Sequence, residues 1–290
     1  MTVPHGVAAL EAPSQDALQR AAAKPRRFGA WYVAEHRLRV MRSYVSTVLI
    51  GAVGTPLLYL FAMGVGLGAL VSANMGPHAV DGVSYLQFVA PALLCTAAVT
   101  VASEELTYPI MLGFKWNPTF IGISASPITP GQIIDGMVIA VTVRLVATSL
   151  IYWLFMLLFG ATPAGTAVLS VLVATLVGLA FGAPVMMYVA TIERDTGQIA
   201  MLMRFVLLPL TLFSGTFFPL TVMPVYLQWI GWLSPIWHGA QLARMASYGS
   251  ASTAAQEPLW LVIVHVLYLL VLIVPCWLIT RRIAKRRLYS

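Results

Sequence analysis

The chain has 290 residues, of which 59% are hydrophobic and only 9% are charged, and its formal net charge is +7. Soluble domains usually carry about 25% charged residues, so this composition excludes a protein with a fully water-facing surface. No polar block is long enough to form a separate soluble domain. We therefore interpret the chain as an all-α polytopic membrane protein. Residues 1–25 carry charges but no apolar stretch, which predicts a disordered cytoplasmic tail rather than a cleavable signal peptide.

Apolar runs long enough to cross a bilayer as a helix, about 20 residues each, occur six times along the chain. They are Tyr44–Val71, Leu86–Thr107, Ile133–Phe159, Thr166–Thr191, Met201–Leu220 and Leu259–Thr280. Fifteen of the 17 lysine and arginine residues flank these runs on one side, whereas Arg244 lies on the other side. By the positive-inside rule, both termini are cytoplasmic. The basic residues near the C-terminus then suit anionic lipids, and no nucleic-acid partner is required.

Hydrophobic residues in Arg26–Val45 recur at spacings of three and four, with most arginines on other faces. This pattern predicts an N-terminal amphipathic helix in the cytoplasmic interface, although a simple extension of the first span also fits. Its candidate interfacial residues are Arg26, Arg27, Trp31, Tyr32, Arg37, Arg39 and Arg42.

The segment Ser103–Gln132 contains four prolines, which exclude one continuous helix. We predict one or two short helices on the cytoplasmic face. Their polar and aromatic residues suit docking to a partner, although a structural connector with an interfacial tryptophan is the alternative. The candidate contact residues are Glu104, Glu105, Lys115, Trp116, Asn117 and Thr119.

Between the fifth and sixth spans, Ser214–Pro258 is apolar but repeatedly interrupted by glycine and proline. Non-helical backbone at membrane depth is tolerated only inside protein or beside a watery cavity. We interpret Phe217–Ala246 as re-entrant helices in the outer leaflet, with a surface-lying aromatic belt as the alternative. The candidate exit residues are Ser214, Gly215, Phe217, Phe218 and Pro219.

Arg144 is the one ionisable residue deep in a predicted span, where insertion costs about 2.5–3.5 kcal/mol at a helix centre. It either extends to the membrane surface or faces a polar cavity. In the cavity it would attract an anionic head group or pair with an acidic residue. Elsewhere, histidines, carboxylates, Cys95 and Cys276 show no catalytic or metal-binding spacing, and no lysine completes a phosphate-binding loop. We therefore expect no metal or cofactor in this chain, which cannot hydrolyse ATP itself.

Several stretches resemble, in order and spacing, the type 2 permease subunits of ABC exporters, especially nodulation-factor (lipo-oligosaccharide) and daunorubicin-resistance exporters. These stretches are EHRLRVMRSY, TPLLYLFAMGVGLG, YLQFVAPALL, EELTYPIMLGFKWN, SPITPGQIIDG, LLPLTLFSGTFFPL and SPIWHGAQLAR. The resemblance covers nearly everything after Arg26, so residues 26–290 are expected to form one transmembrane domain of this type.

The resemblance implies a bacterial plasma membrane, a second permease chain (identical or related) and two separate ATP-binding subunits that use ATP and Mg. Ser103–Ile123 would contain the element that couples to the ATPase, and Arg26–Arg42 would brace the same ATPase. The outer helices would close the exit. Amphipathic lipids, lipid-linked sugars and hydrophobic drugs all suit such a path. A membrane-embedded transferase acting on lipid carriers is the alternative, and it would need clustered carboxylates or histidines at one membrane face.

Overall fold

The computed structural model describes residues 14–76, 80–162, 165–248 and 258–289, and within those ranges the regular structure is helical, without a β-strand. The helices, in chain order, are α1 Gln15–Arg42, α2 Val45–Leu60, α3 Gly68–Met75, α4 Tyr85–Met111, α5 Thr119–Ser124, α6 Pro130–Leu158, α7 Leu169–Thr191, α8 Gln198–Leu202, α9 Leu208–Phe213, α10 Val225–Trp232, α11 Pro235–Tyr248 and α12 Leu259–Tyr289. Wider π-helical turns join α2 to α3, extend α4 from Leu112 to Trp116, and join α8 to α9.

Five helical stretches in the described ranges are long and apolar enough to cross a membrane, which confirms a multi-pass architecture. They are Val45–Asn74, Tyr85–Trp116, Pro130–Leu158, Gly165–Thr191 and Leu259–Tyr289. The fifth predicted span is shorter than expected: its apolar helix, Gln198–Phe213, ends seven residues before the predicted limit. At 1.5 Å per residue, these 16 residues reach about 24 Å, less than the bilayer core of about 30 Å.

Helices α4 and α7 form the centre of the bundle. Small residues allow their close approach, since a Cβ on Gly178 would lie 3.0 Å from the Ala98 carbonyl oxygen and one on Gly182 would lie 2.6 Å from Leu106. By contrast, only 12% of the most apolar part of Val45–Asn74 and 11% of that of Leu259–Tyr289 is buried. These two outer helices therefore present apolar faces to lipid or to another chain.

Helix α1 begins at Gln15, upstream of the predicted start at Arg26, so part of the segment predicted as a disordered tail is helical; residues 1–13 lie outside the described ranges. Pro25 lacks the backbone N–H of a regular helix, and the helix is kinked at Phe28. Beyond the kink, α1 packs along α6, where a Cβ on Gly136 would lie 2.5 Å from Val33. The Gln132 side chain donates a 2.7 Å hydrogen bond to the Arg26 carbonyl.

As predicted, the segment Ser103–Gln132 is not one continuous helix, but Pro109 does not interrupt it, because α4 continues through Pro109 to Met111 and then to Trp116. Pro109 removes one helical hydrogen bond, but burial of Ile110, Met111 and Phe114 against the bundle holds the helix together. Only after Asn117 does the chain turn into α5. The Thr129 side chain then caps α6, and Pro130 occupies its first turn.

Candidate functional site

A cleft of about 760 Å³ opens between α2, α4, α6 and the segment Met203–Phe217. Glu104, Glu105 and Arg144 lie on its wall. Threonine and tyrosine hydroxyls follow along the wall, and leucine side chains with Phe217 complete it. These residues are Thr96, Thr100, Thr148, Tyr152, Leu93, Leu207, Leu208 and Leu212.

The two ends of the cleft differ in polarity. The Tyr85 hydroxyl, at the start of α4, donates a 3.1 Å hydrogen bond to the Phe217 carbonyl. On α4 the residues that line the cleft run from Leu93 to Glu105, which corresponds to about 18 Å of helix. The cleft therefore runs from a charged end at Glu104 and Glu105 towards an apolar end.

At the charged end, Glu105 bridges two arginines from different helices. Its Oε2 accepts a 2.8 Å hydrogen bond from Arg37 on α1, and its Oε1 accepts one from Arg144 on α6. Glu105 is only 4% exposed. Arg144 therefore pairs with an acidic residue beside a cleft, the arrangement that one of the two sequence interpretations described.

This cluster has more hydrogen-bond donors than acceptors. Both carboxylate oxygens of Glu105 are occupied, but the Nε atoms of Arg37 and Arg144 are buried and have no hydrogen-bond partner. Removing such a donor from water without a replacement acceptor costs free energy. The charged end of the cleft is therefore electrostatically suited to receive an additional acceptor.

The residues predicted to contact an ATPase separate into two groups. Lys115, Trp116, Asn117 and Thr119 are all exposed at the tip formed by the end of α4 and the start of α5. Trp116 donates a 3.1 Å hydrogen bond to Asp195 and stacks on Tyr108 at a ring-centroid distance of 6.3 Å. Glu104 and Glu105 instead lie higher on α4, at the cleft, and the burial of Glu105 leaves it no surface for a partner.

The predicted interfacial residues also differ in their exposure and in their partners. Arg26, Arg27, Trp31, Tyr32 and Arg42 are exposed, as an interfacial role requires. Arg39 is exposed as well and pairs with Glu35 at 2.6 Å. Arg37 alone among this set turns inward to the cleft cluster, which its sequence position did not indicate.

The predicted exit residues form a tight turn at the end of α9. Gly215 has a φ of +69°, a left-handed conformation that favours glycine. The Ser214 hydroxyl hydrogen-bonds the Ser234 hydroxyl at 2.7 Å. Phe217 faces the cleft, Phe218 is 41% exposed, and Pro219 precedes a short 3₁₀ turn.

Arg244, noted in the sequence only for its charge, holds this turn. It is 3% exposed and donates hydrogen bonds to the carbonyls of Gly215, at 2.8 Å, and Phe88, at 3.1 Å. Its guanidinium lies 3.8 Å from the Phe88 ring centroid. The only sequence signal for this role was a single arginine in an apolar segment. The carbonyls that it binds, on Gly215 and Phe88, are distant in sequence.

A second feature that sequence reasoning missed is a contact between two histidines. His238 Nδ1 lies 2.7 Å from His265 Nδ1, and His238 Nε2 lies 2.9 Å from the Trp232 carbonyl. A carbonyl oxygen only accepts, so the His238 ring donates to Trp232 through Nε2. In the described ranges, no three His, Cys, Asp or Glu side chains come together as a metal site.

Comparison with known proteins agrees with this architecture. Residues 32–248 match the family described as ABC-2 type transporter. Nodulation protein J of Rhizobium leguminosarum bv. viciae is 29% identical over 249 residues, which cover 83% of this chain and 87% of that protein. The inner membrane transport permease YadH of Escherichia coli (strain K12) is 28% identical over 205 residues, which cover 68% and 74%. The predicted resemblance is confirmed, and the chain belongs to the ABC-2 type transporter family.

Proposed function

We propose that the chain is the transmembrane permease subunit of an ATP-driven ABC exporter, which moves an amphipathic or lipid-linked substrate out of the cytoplasm or inner leaflet. The cleft is the observation that carries this proposal. Its charged end, hydroxyl-bearing middle and apolar walls match a molecule with a polar head and an apolar tail. Membership of the family supports the permease role, since its permeases normally pair with an ATP-binding subunit.

In this proposal the chain crosses a bacterial plasma membrane six times, with both termini in the cytoplasm. The short helix Gln198–Phe213 is the fifth crossing, and α10 and α11 form a re-entrant pair that closes the outer exit. Two findings support the arrangement. Basic residues concentrate on one side of the apolar helices, and α11 is largely buried even though it is only 14 residues long.

The exposed tip Lys115–Thr119 would be the contact with the ATP-binding subunits. These few residues include a half-exposed tryptophan, a lysine and polar side chains. Such a composition suits a binding hot spot. Because the tip continues directly into α4, which carries Glu105, a displacement of the tip would be transmitted to the charged end of the cleft.

Two permease chains, identical or related, would form the transmembrane core above two ATPases that use ATP and Mg. The largely unburied faces of α2 and α12 support a neighbour in the membrane, because each presents a long apolar surface. The cleft opens beside α2, so a second chain on that face would help to enclose the substrate path.

Co-purification of the chain from its native membrane with an ATP-binding subunit tests the proposal. Trp116→Ala should lower the affinity for that subunit, and substrate-stimulated ATP hydrolysis, about tenfold or more, as expected of a hot-spot residue. The matched control for the affinity measurement is Trp229→Ala, which removes a comparably exposed tryptophan from α10, on the opposite side in this topology. Absence of a co-purifying ATPase, or unchanged coupling in Trp116→Ala, would contradict the assignment.

Membrane-impermeant thiol labelling tests the topology separately. In a chain without Cys95 and Cys276, Phe218→Cys should react only from outside, whereas Lys115→Cys should react only after the membrane is opened. Both side chains are exposed in the structure, so accessibility depends on the side of the membrane. Reaction of both cysteines from the same side would show that the topology is wrong.

A further inference from the structure

We propose that Arg144 binds the acidic head group of the transported amphiphile, a carboxylate or a phosphate, in exchange for the carboxylate of Glu105. This inference rests on the proposed function, because it names the substrate class that the cleft would accept.

Position is the first reason. Arg144 is the only cationic residue among those that line the cleft in the described ranges. Its bond to Glu105, and through Glu105 to Arg37, places it at the level where the amphipathic helix α1 ends and α2 begins. A helix of that type lies among lipid head groups. An amphiphile that enters from the inner leaflet would therefore bring its head group to this level.

Unsatisfied donors are the second reason. A guanidinium has five N–H groups in a planar fork and binds carboxylate or phosphate with two parallel hydrogen bonds. Arg144 donates to Glu105 only through Nη1, and its buried Nε has no partner. An incoming anion would satisfy donors that the resting cluster leaves unpaired, whereas a neutral or cationic head group would not.

Glu104 is the group that opposes this selectivity, because it lines the same cleft and could attract a cation. Glu104 is exposed, whereas the Arg144 side chain is only 14% exposed, and the two groups also interact electrostatically. The buried Nε of Arg144 has no hydrogen-bond partner in the described residues. The larger gain from a new partner is therefore at the arginine.

The exchange also has a structural consequence. When a substrate anion occupies Arg144, Glu105 can keep its 2.8 Å bond to Arg37. The link between α4 and α1 then persists while the link between α4 and α6 is released. Occupancy of the cleft would thereby remove one charged link between α6 and the helix that carries the exposed cytoplasmic tip.

Photolabelling of the full-length chain in an uncharged detergent tests the proposal. Four sixteen-carbon probes carry the same photoreactive group on the chain and differ only in the head group: carboxylate, phosphate, alcohol or trimethylammonium. Mass spectrometry then identifies labelled cleft residues such as Leu93 and Leu207. We expect the two acidic probes to reach half-labelling at concentrations about tenfold lower than the alcohol, as one charge-assisted interaction allows.

Variants show whether Arg144 is responsible. Arg144→Gln should abolish the advantage of the acidic probes, and Arg144→Lys should keep part of it, which excludes loss of folding as the cause. Glu105→Gln should strengthen labelling by the acidic probes, because the internal competitor is gone; a merely structural role would weaken it. Arg39→Gln, an exposed arginine with its own partner Glu35, is the control and should change nothing.

The outcomes separate this inference from the proposed function. Equal labelling by acidic and alcohol probes, or an acidic advantage that survives Arg144→Gln, overturns the head-group assignment but leaves the amphiphile path intact. Preference for trimethylammonium that disappears in Glu104→Gln also overturns it, in favour of a cationic substrate. If no probe labels the cleft, the amphiphile path fails as well.

Discussion

Two arginines at opposite ends of the molecule, both largely removed from solvent, have different sets of partners. Arg144 donates to the carboxylate of Glu105, which a second arginine shares. Arg244 donates to the backbone carbonyls of Gly215 and Phe88 and to the Gln241 side chain, lies over an aromatic ring, and interacts electrostatically with Asp81. The carboxylate beside Arg144 can be replaced by another anion, whereas the carbonyls of a folded turn cannot be exchanged. The comparison indicates that the first arginine is suited to binding and the second to stabilising the fold.

The largest expected effect concerns the arginine that holds the turn. Arg244→Met keeps an apolar side chain of similar length but removes the donors to Gly215 and Phe88. We expect a loss of about 2–4 kcal/mol in the free energy of unfolding, since each lost bond involved a charged donor and leaves a buried carbonyl. Thermal unfolding of the purified chain in detergent measures it. Arg39→Met, at an exposed ion pair, is the control, with an expected change near zero; equal stability of the two variants would disprove the distinction.

The second-largest effect on stability is expected when the Glu105 carboxylate, which bridges Arg37 and Arg144, is removed. Glu105→Gln leaves Arg37 and Arg144 with only the more exposed Glu104 as a nearby counter-charge, which should cost about 3 kcal/mol, as for a broken buried ion pair. The double variant Glu105→Gln/Arg37→Gln should recover part of that loss, because only one cation then remains. A double-mutant cycle on the free energy of unfolding measures the coupling between Glu105 and Arg37, and strictly additive losses would show that these two groups do not interact.

A smaller effect is expected for the turn that Arg244 holds. Gly215→Ala forces a side chain into a left-handed conformation, which costs about 1–2 kcal/mol. It also places a Cβ 3.3 Å from the Trp237 ring. The matched control is Gly122→Ala in α5, where an added Cβ meets nothing within 4 Å and helix propensity favours alanine. Comparison of the two melting temperatures tests the claim, and a stabilising Gly215→Ala would refute it.

The smallest expected effect is at the cytoplasmic tip, where contacts are exposed. Trp116→Phe removes the hydrogen bond to Asp195 but keeps an aromatic ring beside Tyr108. We expect a stability loss of only about 0.5 kcal/mol, because water replaces the lost partner. Trp116→Ala is expected to weaken coupling to the ATPase strongly, whereas Trp116→Phe is expected to lose little stability. The two results together would show that the tip contributes more to partner binding than to the stability of the fold. A loss comparable to that of Arg244→Met would instead make the tip structural.

Much of the architecture followed from local patterns. Apolar run length predicted five of the long helices within a few residues at most boundaries, because a helix that crosses lipid must be apolar throughout its length. The helix before the first span followed from hydrophobic periodicity, and the polar and aromatic residues between prolines indicated the exposed segment Lys115–Thr119. The errors occurred where packing overrides local preference: α4 passes through Pro109 because buried residues on either side hold it.

The amino-acid sequence by itself determined the membrane class, the helical segments and the candidate status of Arg144, since hydropathy and isolated charges are properties of each segment. Tertiary structure alone decided which charges meet. Arg37 and Glu105 are 68 residues apart, Glu105 and Arg144 are 39 apart, and Arg244 is 29 residues from Gly215 and 156 from Phe88. Such pairings depend on how helices pack side by side, and no periodicity within one helix encodes which neighbour it will touch.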